Sequence, residues 1–261
     1  MSLLGASGFV LEPHVRRRAV ETRIIGTVVR KVRGFVGRRR KEPISGLDID
    51  PPAEVVHEVA FEEEDSPTDA ELFFQQADEL HDAQNYDELL ATLQKAVGSD
   101  ADGADLRWRL ARVYCDLSDL TTTDTERKSC VEAGLAAAEE AVALAPDSGY
   151  TQKWYGIMLG LVGDYVSTKK KIGNSYKIKD ALDVASDKLP GDATVKLALG
   201  QWSYKLSNLG YLERTIASAI FGTPPRSNFG DALHYAEQAY AIRPTDKAKK
   251  LIDDAKAKLR R

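Results

Sequence analysis

The sequence contains few of the residues on which disulfide-stabilised and metal-dependent proteins rely. It has two cysteines among 261 residues, Cys115 and Cys130, which are too few for a disulfide framework. Its four histidines are scattered, and none stands in an H-E-x-x-H or cysteine-rich setting, so no metal site is predicted. The longest apolar stretch near the start, residues 2–11, is far shorter than the roughly 18 residues that cross a bilayer. We therefore expect neither a metal site nor a spanning helix.

Catalytic motifs are also missing from the sequence. The chain has no GxSxG elbow, no GKS or GKT loop and no GxGxxG following a strand. Neither cysteine has a histidine partner that the sequence points to, as a nucleophilic thiol would need. We expect a protein that is not an enzyme and that carries no cofactor.

Charge divides the chain into three parts. Residues 1–45 carry eleven basic and three acidic side chains, a net charge of +8, whereas residues 46–71 carry ten acids and no lysine or arginine. The rest of the chain is close to neutral, at −2. Because this body is slightly acidic and has no nucleic-acid-reading motif, we do not expect a nucleic-acid partner. The pattern predicts a basic arm over 1–45, an acidic flexible linker over 46–67 and a folded body over 68–261.

The basic arm has an amphipathic centre. Between residues 20 and 36, apolar side chains recur at spacings of three and four, while Arg23, Arg30 and Arg33 fall on the opposite half of a helix. Such a segment suits an anionic lipid surface or an organelle-targeting sequence, and with them a mitochondrial or membrane-surface location. Its glycines and β-branched residues favour a weakly ordered tail instead. At the level of sequence these alternatives stay open.

The body has the periodicity of a repeated helical hairpin. Apolar residues from position 68 onward recur at helical spacing, and strand patterns are missing. One phrase returns three times, as LAAAEEAVALAPD (135–147), ALDVASDKLPGD (181–192) and ALHYAEQAYAIRPTD (232–246). In each phrase small residues allow close packing and a proline stops the helix. We predict an all-α fold, a tetratricopeptide-like α-solenoid of antiparallel helix pairs.

The spacing of the three stopping prolines predicts lengthened helices. They are 44 and 54 residues apart, compared with about 34 in the simple tetratricopeptide repeat. We place the additional residues at 167–180, ahead of a second helix, and at 210–226, where a short apolar helix is expected over 216–221. The last helix, 247–261, suits a cap with a basic carboxyl end.

Four strings within the body are more specific than the helical period. They are ADLRWRLARVY (104–114), KWYGIMLGLVGDY (153–165), KKKIGNSYKIKDALD (169–183) and ERTIASAIFGTPPRSNFGDALHYAEQA (213–239). Together they resemble the regulator of microtubule dynamics family. The resemblance implies a non-enzymatic helical-repeat protein that associates with microtubules and supports spindle function and chromosome segregation. For a related branch it implies phospholipid binding at contacts between endoplasmic reticulum and mitochondria; that branch has an amino-terminal spanning helix, which we do not expect here.

Five lysines within eleven residues form the first candidate binding surface: Lys169, Lys170, Lys171, Lys177 and Lys179. At helical spacing Lys170 and Lys177 share one face with Lys171 and Asn174. Microtubules display strongly acidic tails, so this surface predicts an electrostatic contact that weakens with salt. The three arginines of the arm form a second cationic candidate. The alternative is a solvated lysine-rich face that only aids solubility.

The concave wall of the solenoid is a further candidate site. We expect Trp154, Tyr155, Trp202 and Tyr204 either to line an apolar cavity there or to fill the interfaces between helices. Our principal hypothesis is a cytoplasmic, cytoskeleton- and spindle-associated protein that binds microtubules or tubulin, and partner proteins through the concave wall. The alternative is a module that binds phospholipid or tethers membranes at mitochondria or endoplasmic reticulum.

Overall fold

A computed structural model of the protein describes residues 67–99, 101–210, 215, 218–219 and 227–260. Three predicted segments lie outside the described residues: the basic arm with its three arginines, almost all of the acidic linker, and most of the short apolar helix expected over 216–221. Within the described part every regular element is an α-helix, which confirms the all-α prediction.

Nine helices lie in the described part of the chain, and we number them in order. They are α1 (Asp69–Asp82), α2 (Tyr86–Lys95), α3 (Ala104–Leu120), α4 (Asp124–Leu144), α5 (Gly149–Val162), α6 (Thr168–Lys188), α7 (Ala193–Ser207), α8 (Phe229–Ile242) and α9 (Asp246–Leu259).

The ends of the helices follow from local chemistry. Thr68 and Asn228 each start a helix with a capping box, in which the cap side chain and a carboxylate three residues later satisfy backbone N–H groups reciprocally. Helices α4, α6 and α8 each end two residues before one of the three stopping prolines. Proline has no N–H to donate and its ring clashes with the preceding turn, so it cannot continue a helix. The prediction made from the prolines is confirmed.

Consecutive helices pack against each other. Except between α7 and α8, which residues 208–228 connect, the connections are short and make neighbouring helices antiparallel. The odd-numbered helices also contact one another in succession: α1 with α3, α3 with α5, α5 with α7 and α7 with α9. The even-numbered helices of the described part make no such contacts with each other. The stack therefore curves towards the odd-numbered helices, which we call the inner row.

Small residues set the distance between paired helices. Many alanines of the three repeated phrases are buried, among them Ala138 and Ala141 on α4 and Ala185 on α6. A Cβ placed on Gly200 of α7 would lie 3.3 Å from the backbone oxygen of Ala232 on α8. Such a close approach of two backbones explains why the phrases carry alanines on the packed side of their helices, and why α7 carries Gly200 opposite one of them.

Helix α6 is lengthened where the proline spacing predicts it. The residues that we placed ahead of a second helix form the first part of one continuous helix of 21 residues. The side chain of Ser167 starts this helix by accepting a hydrogen bond from the backbone N–H of Lys170. The lysine-rich segment is therefore held on a rigid element.

Candidate functional site

The lysines of α6 are divided between exposed and paired side chains. Lys169, Lys170 and Lys177 are exposed, and none forms an ion pair with another described residue. Lys170 and Lys177 are two helical turns apart and project from the same side of α6. We refer to these three side chains as the α6 lysine surface.

The other two lysines of the segment are paired with carboxylates. The Nζ atom of Lys179 lies 2.5 Å from a carboxylate oxygen of Asp183, and the Nζ atom of Lys171 lies 3.8 Å from a carboxylate oxygen of Asp164. Asn174, which we expected on the same face as Lys170, is instead buried, because α6 turns that side towards its neighbours. The expectation that Asn174 is exposed beside Lys170 is wrong, although residues four positions apart lie on the same side of a helix, because the packed side of α6 begins there.

A cavity of about 360 Å³ opens between α5, α6 and α7. Its lining is mostly apolar and includes Ile157 and Leu161 from α5, Ile172 and Ile178 from α6, and Leu206 from α7. Two glycines of α5 and the glycine that follows this helix also line it, and one of the two on α5 has no neighbouring atom within 4 Å of where a Cβ would be. The absence of side chains along this part of α5 leaves the space unfilled.

Two lysines bring positive charge to the cavity. Lys171 from α6 and Lys205 from α7 line it, and both are also exposed, so they lie where the cavity meets solvent. Desolvation lowers the pKa of Lys205, and the nearby cations Lys171 and Arg127 act in the same direction, against Asp164. An anionic group at this edge would relieve the repulsion between the two ammonium groups.

The four aromatic residues expected on the concave wall separate into two places. Trp202 and Tyr204 line the cavity, and the indole N–H of Trp202 donates to the backbone oxygen of Ser175 at 2.9 Å. Trp154 is buried in the core formed by α1 to α5, and Tyr155 packs against that core. Trp154 and Tyr155 do not line the cavity, because the residues of α5 that do so begin just after this aromatic pair.

A polar network within the inner row was not predicted from sequence. The guanidinium of Arg109 on α3 pairs with Asp78 on α1, with nitrogen to oxygen distances of 2.7 and 3.2 Å. It also lies 4.4 Å from the ring centre of Phe74 and 4.2 Å from that of Trp108. Desolvation alone would raise the pKa of Asp78, but hydrogen bonds from Arg109 and Arg112 hold it below its ordinary value.

A second polar pair joins α5 to α7. Lys153 is buried, and its Nζ lies 2.8 Å from a carboxylate oxygen of Asp192, which also caps α7 by accepting from two backbone N–H groups. Desolvation lowers the pKa of Lys153 despite this contact. The pKa of Asp192 is lowered as well, since the cap and the lysine together outweigh its own desolvation. The packing of α5 against α7 brings the two residues together. Their spacing in the sequence does not predict the pair.

The geometry of the described residues supports binding of charged or apolar partners. Within them no three histidine, cysteine or acidic side chains converge where they would hold a metal ion. None of the described helices is both long enough and apolar enough to cross a membrane. Burial raises the pKa of the Cys115 thiol to about 12, which keeps this thiol protonated and unreactive.

Comparison with known proteins places the chain among helical-repeat proteins. Its structure superposes on a tetratricopeptide-repeat protein from Thermus thermophilus with a TM-score of 0.50, at 15% sequence identity, over 73% of this chain and 82% of that one. At this identity the likeness concerns the fold alone. It confirms the tetratricopeptide-like α-solenoid.

Sequence relatives carry a more specific name. Regulator of microtubule dynamics protein 3 from Rattus norvegicus is 34% identical over 192 residues, 71% of this chain and 40% of the relative. Protein 1 of the same name from Bos taurus is 34% identical over 183 residues, 70% of this chain and 57% of the relative. The chain thus spans about half the length of these relatives. The family model described as regulator of microtubule dynamics protein 1-3 matches residues 73–260. This chain belongs to the regulator of microtubule dynamics family.

Proposed function

We propose that this protein is a non-enzymatic, microtubule-associated helical-repeat protein that contacts the acidic tails of tubulin through the α6 lysine surface. The observation that carries the proposal is the exposure of Lys169, Lys170 and Lys177 without ion pairs to other described residues. The names of the relatives, regulators of microtubule dynamics, support a partner of this kind. A role at the spindle and in chromosome segregation follows from such binding.

The physical basis of the contact is electrostatic. A lysine that already has a carboxylate neighbour gains little from an external acid, whereas an unpaired lysine gains a new attraction. Each contact is worth at most about 1 kcal/mol in water and is screened over about 8–10 Å at physiological salt. Three such lysines, together with the +8 charge of residues 1–45, give binding that is modest per contact and strongly dependent on ionic strength.

Co-sedimentation with microtubules tests this proposal. The variant Lys169→Glu/Lys170→Glu/Lys177→Glu is expected to pellet at least tenfold more weakly than the unmodified chain, because three attractions become repulsions. The matched control is Lys95→Glu/Lys249→Glu/Lys250→Glu, which makes the same charge change at exposed lysines of α2 and α9.

Clipped microtubules complete the design. Removing the acidic tails is expected to reduce pelleting of the unmodified chain and of the control to the level of the α6 variant. Equal losses in the α6 variant and the control would show that net charge, and not this surface, determines binding. If clipping the tails does not change pelleting, the acidic tails of tubulin are not the binding site, and the proposal is refuted.

A second function is favoured by the cavity between α5, α6 and α7. An apolar space with two lysines at its opening fits a phospholipid. Its acyl chain would enter while its phosphate meets Lys205, which unlike Lys171 forms no ion pair with another described residue. The volume lies at the small end of the range for ligand pockets, about 300–1,000 Å³. It therefore accommodates part of a lipid, with the headgroup outside.

Lipid binding is tested by filling the cavity. Gly160→Leu places a side chain in open space on its wall, and it should abolish capture of phosphatidic acid from mixed vesicles, as read by native mass spectrometry. Gly191→Leu, at an exposed glycine outside the cavity, is the control. Capture by Gly160→Leu at the level of the control would rule out this cavity as the lipid site.

The location in cells is proposed to depend on residues 1–45. Deleting them should leave the helical body folded, because the described helices bury a core among themselves. Loss of a mitochondrial or membrane-surface fraction after the deletion would favour a membrane role for the arm. A filament distribution that survives the deletion would favour the α6 lysine surface as the principal contact.

A further inference from the structure

The inner row of helices closes on itself through one ion pair. Helices α3, α5, α7 and α9 contact each other in succession. The last of them returns to the first, because Nζ of Lys247 at the start of α9 lies 2.5 Å from a carboxylate oxygen of Asp119 near the end of α3. These residues are 128 positions apart in the chain. In a simple open solenoid, repeats contact only their neighbours.

The two helices joined by this pair are otherwise separate. No Cα atom of α3 lies within 8 Å of a Cα atom of α9, so the backbones of the two helices are not closely packed and side chains span the gap. The pair is also solvent-exposed, with 65% of the Lys247 side chain and 39% of the Asp119 side chain accessible. A contact of this kind is weak and screened by salt.

The surroundings of Lys247 favour this position for its charge. Asp116, whose carboxylate accepts a hydrogen bond from Nε2 of His81 at 3.0 Å, also attracts the ammonium group of Lys247. Desolvation opposes the charge, but the hydrogen bond and attraction of Asp119 raise the pKa of Lys247. The acidic side chains at the end of α3 therefore attract Lys247 at the start of α9.

We infer that the Asp119–Lys247 pair is a latch that holds the seam between α3 and α9 closed, and that the solenoid opens along this seam. The remaining contacts of the inner row involve packed helices and resist separation, whereas α3 and α9 have no Cα atoms within 8 Å of each other across the seam. Opening the seam widens access to the inner row without unfolding any repeat. The latch does not depend on which partner the inner row binds.

Distance measurements between spin labels test the latch in the full chain. Labels at Thr122→Cys, just after α3, and Lys250→Cys, on α9, report the width of the seam. A Cys115→Ser/Cys130→Ser background removes both native thiols, which are half-buried and would otherwise compete for the label. We expect one narrow distance distribution for the otherwise unmodified chain at low salt.

Charge reversal is expected to open the seam and double reversal to close it again. Asp119→Lys sets two cations opposite each other, and the ratio of open to closed molecules should rise by about fivefold or more. Asp119→Lys/Lys247→Asp restores opposite charges and should restore the narrow distribution. High salt should shift the unmodified chain in the open direction by about two- to fivefold, in keeping with an exposed pair.

The matched control breaks another exposed pair of α9. Lys256 lies 3.1 Å from Glu237 of α8, but α8 and α9 are already packed along their length. Lys256→Glu should therefore leave the distance distribution unchanged. An unchanged distribution in Asp119→Lys, a failure of the double reversal to restore it, or an equal change in Lys256→Glu would each overturn the latch.

Discussion

The two halves of the helical body, as far as their residues are described, bury different kinds of side chain. Helices α1 to α5 share one large core of leucines, valines, Trp108, Trp154 and Met158. In the second half, the described residues include a small core cluster of Leu182, Ala185, Val195 and Leu199, and Leu182 of this cluster also lines the 360 Å³ cavity. The same repeat thus serves as a close-packed scaffold in one half and leaves room for a ligand in the other.

The largest contrast is expected from large-to-small substitutions. Leu106 is fully buried in the first core, and Leu106→Ala should lower the free energy of unfolding by about 2–5 kcal/mol, because the packed surroundings cannot collapse. Ile178 is half-buried and already borders the cavity, so Ile178→Ala should cost about 1 kcal/mol or less. Urea unfolding measures both, and equal losses would contradict the difference between the halves.

A difference in stability of intermediate size is expected between variants that remove a carboxylate from each half. Asp78→Ala leaves the guanidinium groups of Arg109 and Arg112 without their partner and should cost about 2–3 kcal/mol, somewhat less than a fully buried pair because Asp78 is 40% exposed. Asp183→Ala breaks an exposed pair four residues away on α6 and should cost a few tenths of a kcal/mol. Urea unfolding of the two variants measures this contrast too, and a loss in Asp183→Ala as large as that in Asp78→Ala would contradict it.

The pH dependence of stability checks the same carboxylate. The pKa of Asp78 is lower in the folded protein than in the unfolded chain. Its contribution is therefore present above the unfolded value, about 3.9, and is lost as pH falls through the folded pKa. The stability difference between the unmodified chain and Asp78→Ala should shrink on acidification below about pH 4. A difference that is constant from about pH 7 to about pH 3 would assign the loss to packing instead.

The smallest contrast is expected from two glycines with opposite surroundings. A Cβ on Gly134 would lie 3.0 Å from the Cβ of Tyr114 and 2.5 Å from the methyl carbon of Met158, so Gly134→Ala should destabilise by about 1 kcal/mol. A Cβ on Gly160 meets open space, and Gly160→Ala should stabilise by about 0.5–1 kcal/mol through helix propensity. Thermal unfolding measures the sign of the stability change in each variant. Two changes of the same sign would contradict the difference between these two glycines.

Sequence patterns predicted the helices well because their causes are local. The three stopping prolines, the small residues of the repeated phrases and the lengthening of α6 act within one or two turns of chain, and the structure confirms each of them. The same patterns misplaced Asn174 and did not separate Trp154 from Trp202. Both members of the latter pair are aromatic residues on inner helices, and only their neighbours differ.

Periodicity, prolines and charge blocks by themselves determined that this chain forms paired α-helices, where those helices stop and which segment carries the lysines, because each property is encoded within a few consecutive residues. Only the tertiary structure decided that three of those lysines are without an ion pair among the described residues, that a cavity lies beside Trp202, and that Lys247 meets Asp119. These features depend on how far each helix pair rotates relative to the next, and small rotations add up along the stack. A pattern of a few consecutive residues does not determine this accumulated rotation.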